Sequence, residues 1–141
     1  VVGLTEVEST YAEWTFPAEP DAVRTARHAV RDTLDVWRLD HHVRDSAVLL
    51  VSELVTNSSQ YTSGPIDVRL AVVSVCPAGL TGAALLVEVS DPLPDPPTAR
   101  SPGPDDEGGR GIQLVACSAR RWGTRRGRTG KTVWFELPLP G

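Results

Sequence analysis

The chain has 141 residues, 40% of them hydrophobic and 23% charged, with a formal net charge of −4. This is the composition of one globular domain with its own core, and it excludes collagen-like, coiled-coil and bulk-disordered chains. The acidic balance argues against nucleic-acid binding by counterion release, and no apolar run approaches the roughly 20 residues of a membrane helix, so neither partner is expected.

Val1 to Thr10 carries two glutamates and no basic residue, so no secretory signal is read there. The two cysteines, Cys76 and Cys117, form no disulfide framework and fit a reducing, cytoplasmic setting. Residues 1–10 read as a tail and residues 11–138 as a single domain. A short strand is expected around Glu13–Phe16, closed by Pro17 and Pro20. Asp21 stands where a helix N-cap belongs. Val23, Ala26, Val30, Leu34 and Trp37 then recur every three or four residues, the pattern of an amphipathic helix ending near Leu39. Asp40 caps a second helix, which runs to about Tyr61 and stops at Gly64-Pro65. Its apolar half comprises Val43, Ala47, Val48, Val51, Leu54 and Val55. Ser46, Glu53, Asn57 and Gln60 form a narrow polar stripe on the other half.

Ile66–Val75 and Ala84–Ser90 are rich in Val and Leu and flank the turn residues of Cys76–Gly82, so an antiparallel pair is expected. Asp91 ends the second run. Pro92–Glu107 holds six prolines, several acids and almost no large apolar residue, which marks a long mobile loop, of a length that is functional or disordered in compact domains. Gly108-Gly-Arg-Gly111 opens a third helix with Ile112, Leu114 and Val115 toward the core. Arg121–Arg126 and Thr132–Leu137 close the chain as a hairpin across Gly127–Gly130. The order β-α-α-β-β-loop-α-β-β specifies an α+β fold. The expected architecture is a two-layer sandwich, a mixed and mostly antiparallel sheet with helices on one face.

Several motifs compete for the chemistry. Gly130-Lys131-Thr132 has the look of a P-loop end, but Arg125 occupies the required upstream glycine position and a strand follows the lysine. His28, His41 and His42 lack metal-ligand spacing. The five arginines of Arg120–Arg128 suit a solvated edge or a protein-docking surface. Glu53 and Asn57, one helical turn apart, are compatible with a solvated stripe or with a general base beside an amide oxygen for Mg²⁺. Gly108, Gly109 and Gly111 fit a loop end or a phosphate-binding helix start. Asp91 fits a turn or a carboxylate that accepts from an adenine amine in a dry pocket. Residue pattern alone leaves each of these pairs open.

Taken in order, these pieces resemble the Bergerat-fold (GHKL) ATPases, the superfamily of gyrase, the histidine kinases and MutL. Glu53-Leu-Val-Thr-Asn57 is similar to the N-box, Asp91 to the adenine-binding aspartate of the first glycine box, and Gly109-Arg-Gly-Ile-Gln-Leu-Val115 to the second glycine box. Trp14-Thr-Phe-Pro, Ala22–Arg27 and Arg121-Trp-Gly resemble the small anti-sigma-factor serine kinases of the RsbW and SpoIIAB type. The resemblance implies ATP and Mg²⁺ as cofactors. It makes Asn57 the Mg²⁺ ligand, Glu53 the base that deprotonates a partner's serine, and Asp91 the adenine reader supported by Thr132. It places Gly109, Arg110 and Gly111 at the phosphates and makes residues 92–110 an ATP lid. A sigma factor and a STAS-domain antagonist are the implied partners, with a possible homodimer. The chain departs from the pattern at Asp91-Pro-Leu-Pro-Asp95, which lacks both glycines of the first box, and at the acidic Asp105-Asp-Glu107. These departures suit an alternative, a degenerate ATPase-fold module that binds protein with weak or no nucleotide binding.

Overall fold

The computed structural model describes residues 10–61, 64–74, 83–92, 115, 118–127 and 130–140. Its described elements run β1 (Tyr11–Phe16), α1 (Ala22–Val36), α2 (His41–Tyr61), β2 (Ile66–Ser74), β3 (Ala83–Asp91), β4 (Arg121–Gly127) and β5 (Gly130–Pro138). The strands form one sheet in the order β1-β2-β3-β5-β4, and each neighbouring pair is antiparallel. The α+β class expected from the element string is therefore the observed one.

Alternation along the strands decides which face is covered. Val68, Val89 and Val133 lie in one cross-strand row, and Leu70, Val87 and Phe135 in the next. All six are buried, and they join Val43, Ala47, Val48, Leu50, Val51, Leu54 and Val55 of α2 in a single core. Each large apolar side chain so covered contributes about 1.5–3 kcal/mol. The six apolar positions read from the α2 sequence are all buried; Leu50, fully buried, extends that stripe. The last hairpin inserts its second strand inside the sheet, so β5 lies beside β3 and β4 is left at the edge. Arg121, Arg125 and Arg126 are exposed along that edge. Gly123 accommodates the Trp134 indole from β5; a Cβ there would stand 2.9 Å from the ring.

The helix ends follow local rules, with one departure. Asp40 Oδ2 accepts from the His42 amide at 3.0 Å, the expected cap of α2. Asp21 precedes α1 but makes no side-chain cap, because its own backbone is already helical (φ −78°, ψ −9°). A turn from Pro17 to Ala22 carries the chain into the helix instead, and the Asp21 carbonyl accepts from both Thr25 N and Thr25 Oγ1. α1 ends at Val36, three residues before the expected Leu39. There Arg38 takes φ 58°, its amide bonds the Asp35 carbonyl at 3.0 Å, and the Leu39 amide bonds the Leu34 carbonyl at 3.2 Å. This is a Schellman stop, made at a position that glycine fills at least cost. Of the third expected helix, Val115 and Ser118 are described as helical, and Val115 is fully buried. Gly108 to Leu114 lie outside the described residues, as do the first nine residues of the expected tail. No helix among the described residues is long and apolar enough to cross a membrane.

Arg38→Gly should stabilise the fold by about 0.5–1 kcal/mol, since it removes the left-handed penalty of a side chain while keeping both Schellman bonds. A higher urea midpoint at unchanged m-value is the expected result.

Candidate functional site

The C-terminal half of α2 carries two stripes side by side. Val51, Leu54 and Val55 continue to Ser58 at helical spacing, so Ser58 points into the core and is buried. A buried hydroxyl needs a partner. Ser58 Oγ donates to Asp91 Oδ2 at 2.8 Å, and Asp91 is only 6% exposed. These two are the buried polar side chains among the described residues. The second stripe holds Glu53 and Asn57, both half-buried and one turn apart. The Glu53 carboxylate makes no hydrogen bond or ion pair among the described residues. The Asn57 carboxamide oxygen Oδ1 is buried and has no hydrogen-bond partner among the described residues. An orphaned amide oxygen beside an unengaged carboxylate is unfavourable for stability alone and suits a hard cation such as Mg²⁺.

The end of β3 is fixed from two sides. Gly130 lies against the Asp91 carbonyl and the Pro92 backbone so closely that a Cβ would overlap them. Gly64 lies against the Pro92 ring with equally little room. The Asp91–Pro92 unit is thus clamped between the start of β5 and the chain leaving α2. Lys131, the next residue in β5, is the cross-strand partner of Asp91.

The face of the sheet away from α2 is polar. Arg69 Nε donates to Glu88 Oε1 at 2.9 Å and its NH2 to Ser90 Oγ at 2.7 Å, while Glu13 sits 3.7 Å away. Arg125 reaches over β5 to Glu88 Oε2 at 2.7 Å. Ser90 and Thr132 share a hydroxyl–hydroxyl bond of 2.6 Å. Burial by itself pushes the Glu88 carboxyl up. The hydrogen bonds from Arg125 and Arg69, with their charges, outweigh that and hold it below the ordinary 4.5. A cavity of about 540 Å³ opens at this end of the sheet, lined by Asp91, Pro92, Lys131 and Thr132 together with Arg69 and Arg125.

The structure therefore brings Glu53, Asn57 and Asp91 to one end of the α2–sheet interface. Thr132 lines the cavity, but its hydroxyl is bound to Ser90 on the opposite face from the Ser58–Asp91 bond. Gly109, Arg110 and Gly111 lie outside the described residues, as does the expected lid beyond Pro92. Ser58 was missed by motif reading, although its place three residues after Val55 on the apolar stripe signals burial. No group of three or more His, Cys, Asp or Glu fit to hold a metal occurs among the described residues.

A long helix that presents an acid and an amide one turn apart, laid on an antiparallel sheet whose inner strand ends in a buried aspartate, is the layout of a Bergerat-type ATPase domain. The model of the histidine kinase-like ATPase domain family matches residues 16–137, and the chain belongs to that family. Among solved structures it is similar to the RsbU and RsbW domains of Rv1364c from Mycobacterium tuberculosis, with 21% identity and a TM-score of 0.67. That match covers 92% of this chain and 32% of the other, so this chain spans about a third of that chain's length, and the likeness is one of fold. No curated protein matches the sequence.

Two outcomes follow from this geometry. Ser58→Ala strips a buried carboxylate of a donor and should cost about 1–3 kcal/mol in chemical denaturation. For Glu88 the folded value is depressed, so its stabilisation is complete above the unfolded value near 4.5 and is lost as pH falls through the folded one. Glu88→Gln should therefore be less stable at neutral pH and lose less further stability than the parent between about pH 5 and pH 3.

Proposed function

We propose that this chain binds ATP with Mg²⁺ and acts in the cytoplasm as a serine/threonine protein kinase of the anti-sigma type. In this reading it holds a sigma factor and phosphorylates a STAS-domain antagonist. The observation that carries it is the buried Asn57 Oδ1, which has no hydrogen-bond partner among the described residues, one turn from a Glu53 carboxylate with none among them either. Asn57 would hold Mg²⁺ through one hard oxygen, which suits an ion that takes few protein ligands. Mg²⁺, when bound, neutralises and orients the phosphates. Asp91, held by Ser58, accepts a hydrogen bond from the exocyclic amine of adenine. In a dry site such a bond discriminates strongly, because the wrong base leaves the carboxylate unpaired. Glu53 takes the proton of the partner's serine hydroxyl while the serine oxygen bonds to the γ-phosphorus, the bond to ADP breaks, and ADP leaves. Little else is required of the protein, since phosphoryl transfer rests on positioning and charge stabilisation.

One observation favours a second reading. Pro92 stands directly after the base-reading aspartate, wedged against Gly64, where relatives carry a flexible first glycine box. A stiffened loop base suits a module that binds a regulatory protein with little or no nucleotide.

Isothermal titration with ATP and ADP, with and without Mg²⁺, separates the two. Binding that depends on Mg²⁺ and is lost in Asn57→Ala is the expected result, and no binding at millimolar nucleotide supports the second reading. Phosphate transfer to a STAS-domain partner should fall by about 10²-fold or more in Glu53→Ala, with ATP affinity retained.

A further inference from the structure

Thr15, Asp67, Ser90, Thr132 and Arg125 stand in one cross-strand row that runs from β1 to β4. Their neighbours Phe16, Val68, Val89 and Val133 are buried in the core, so alternation puts the row on the face away from α2. Asp67, Ser90, Thr132 and Arg125 line the cavity of about 540 Å³ at this end of the sheet, a volume within the roughly 300–1,000 Å³ of small-molecule sites. One end of the row is acidic. Asp67 Oδ1 accepts from the Thr15 hydroxyl at 2.7 Å, and its other oxygen has no partner among the described residues. The other end is basic. Arg125 gives one N–H to Glu88 Oε2 at 2.7 Å, which draws its guanidinium back over β5 toward β3, the strand beside Asp67. Its remaining N–H groups meet no acceptor among the described residues. Two hydroxyls lie between these ends. Ser90 Oγ and Thr132 Oγ1 are 2.6 Å apart, and one bond between them uses one of their two protons. Arg69 only donates to Ser90, so the second proton is left without an acceptor among the described residues. The charges here nearly cancel: Arg69 and Arg125 face Glu88 and Asp67, with Glu13 at 3.7 Å from Arg69. A simple anion or cation meets an opposing charge as well as a partner, whereas a molecule carrying both signs finds a partner at each end.

We propose that this cavity binds a small zwitterion of the free amino-acid type. Its carboxylate takes the open N–H groups of Arg125 and the spare hydroxyl proton, and its ammonium takes the open oxygen of Asp67. Directly opposed side chains on adjacent strands have Cβ atoms about 5 Å apart, so Asp67 and Ser90 frame the short span between two charges on a single α-carbon. Charge-assisted hydrogen bonds at both ends are the strong kind of polar contact that so small a ligand needs. The end of a peptide carries only one of the two charges, so the site favours the free molecule over a chain terminus. The row lies across the sheet from the Ser58–Asp91 bond, and the inference is independent of the nucleotide reading.

The test is an NMR titration of the full ¹⁵N-labelled chain without nucleotide, at constant ionic strength. The probes are L-serine and L-glutamine, whose uncharged polar side chains suit these walls, with their N-acetyl and carboxamide derivatives. The free amino acids should shift the amides of Asp67, Ser90, Thr132 and Arg125 at millimolar concentration. Removing either ligand charge should weaken binding about tenfold. The N-acetyl penalty should vanish in Asp67→Asn, and the carboxamide penalty in Arg125→Gln. Ser90→Ala and Thr132→Val each leave one spare hydroxyl proton and should bind nearly as the parent does, while the double variant should lose affinity. Arg121→Gln, the same charge change on the same strand outside the cavity, should bind as the parent does. No shift in this row with either amino acid overturns the proposal. Equal losses in Arg121→Gln and Arg125→Gln, or penalties that persist in the variants, overturn it as well. None of these results bears on ATP binding, which is measured separately.

Discussion

The hydrogen bond from Ser58 to Asp91 ties the C-terminal half of α2 to the end of β3, and much of the site's geometry depends on that tie. Without that bond the Ser58 hydroxyl would be a buried polar group, at a cost of about 1–3 kcal/mol. The bond also sets the rotation of the helix. With Ser58 turned inward, Asn57 falls on the flank of α2, and Glu53 lies one turn back along the same flank. Rotating α2 by one residue would bury Asn57 and send Ser58 to solvent. The core stripe from Val43 to Val55 supplies the energy, and the single polar bond supplies the phase.

A second constraint is backbone crowding. Gly64 and Gly130 let two chain segments close on Asp91–Pro92 at distances no side chain would permit. The last hairpin can then slot β5 against β3 over its full length, from Ala84–Pro138 to Asp91–Lys131. The site is thereby assembled from segments far apart in sequence: α2, the end of β3 and the start of β5. The rest of the sheet is held by ordinary alternation and by the Arg69–Glu88–Arg125 bridge on its outer face.

Local patterns in the sequence were reliable where burial and periodicity agree. The α2 stripe, the β2–β3 pair, the Asp40 cap and the closing hairpin could all be read from residue order, as could the Glu53–Asn57 spacing. The departures have physical causes. Asp21 is a good capping residue in the right place, but a preceding turn had already set its backbone, leaving the side chain without a role. The α1 stop depends on Arg38 entering a conformation that its chemistry does not advertise. The alternation of Val133, Phe135 and Leu137 in β5 marks its covered face locally and puts Thr132 on the other. What residue order does not show is the pairing of Thr132 with Ser90, a long-range choice of register. Ser58 was hidden differently, as a small polar residue in an apolar series whose meaning depends on a partner 33 positions away.

The placement of β4 at the rim of the sheet has a consequence for how copies of the molecule behave toward one another. Among the described residues no strand lies beyond the seven residues of β4, an edge whose amides and carbonyls could template the same edge on a neighbour. Such self-recruitment would be symmetric, so any charge on the rim meets its own image. Arg121 and Arg126 are exposed there with no acid in the same strand, while Arg125 is paired with Glu88, so two such rims bring like charges together as they align. The arginine bias of this segment thus acts as colloidal protection. It does so through a short-range field that is screened within about 10 Å at 0.1 M salt, reaching only as far as the contact it guards against.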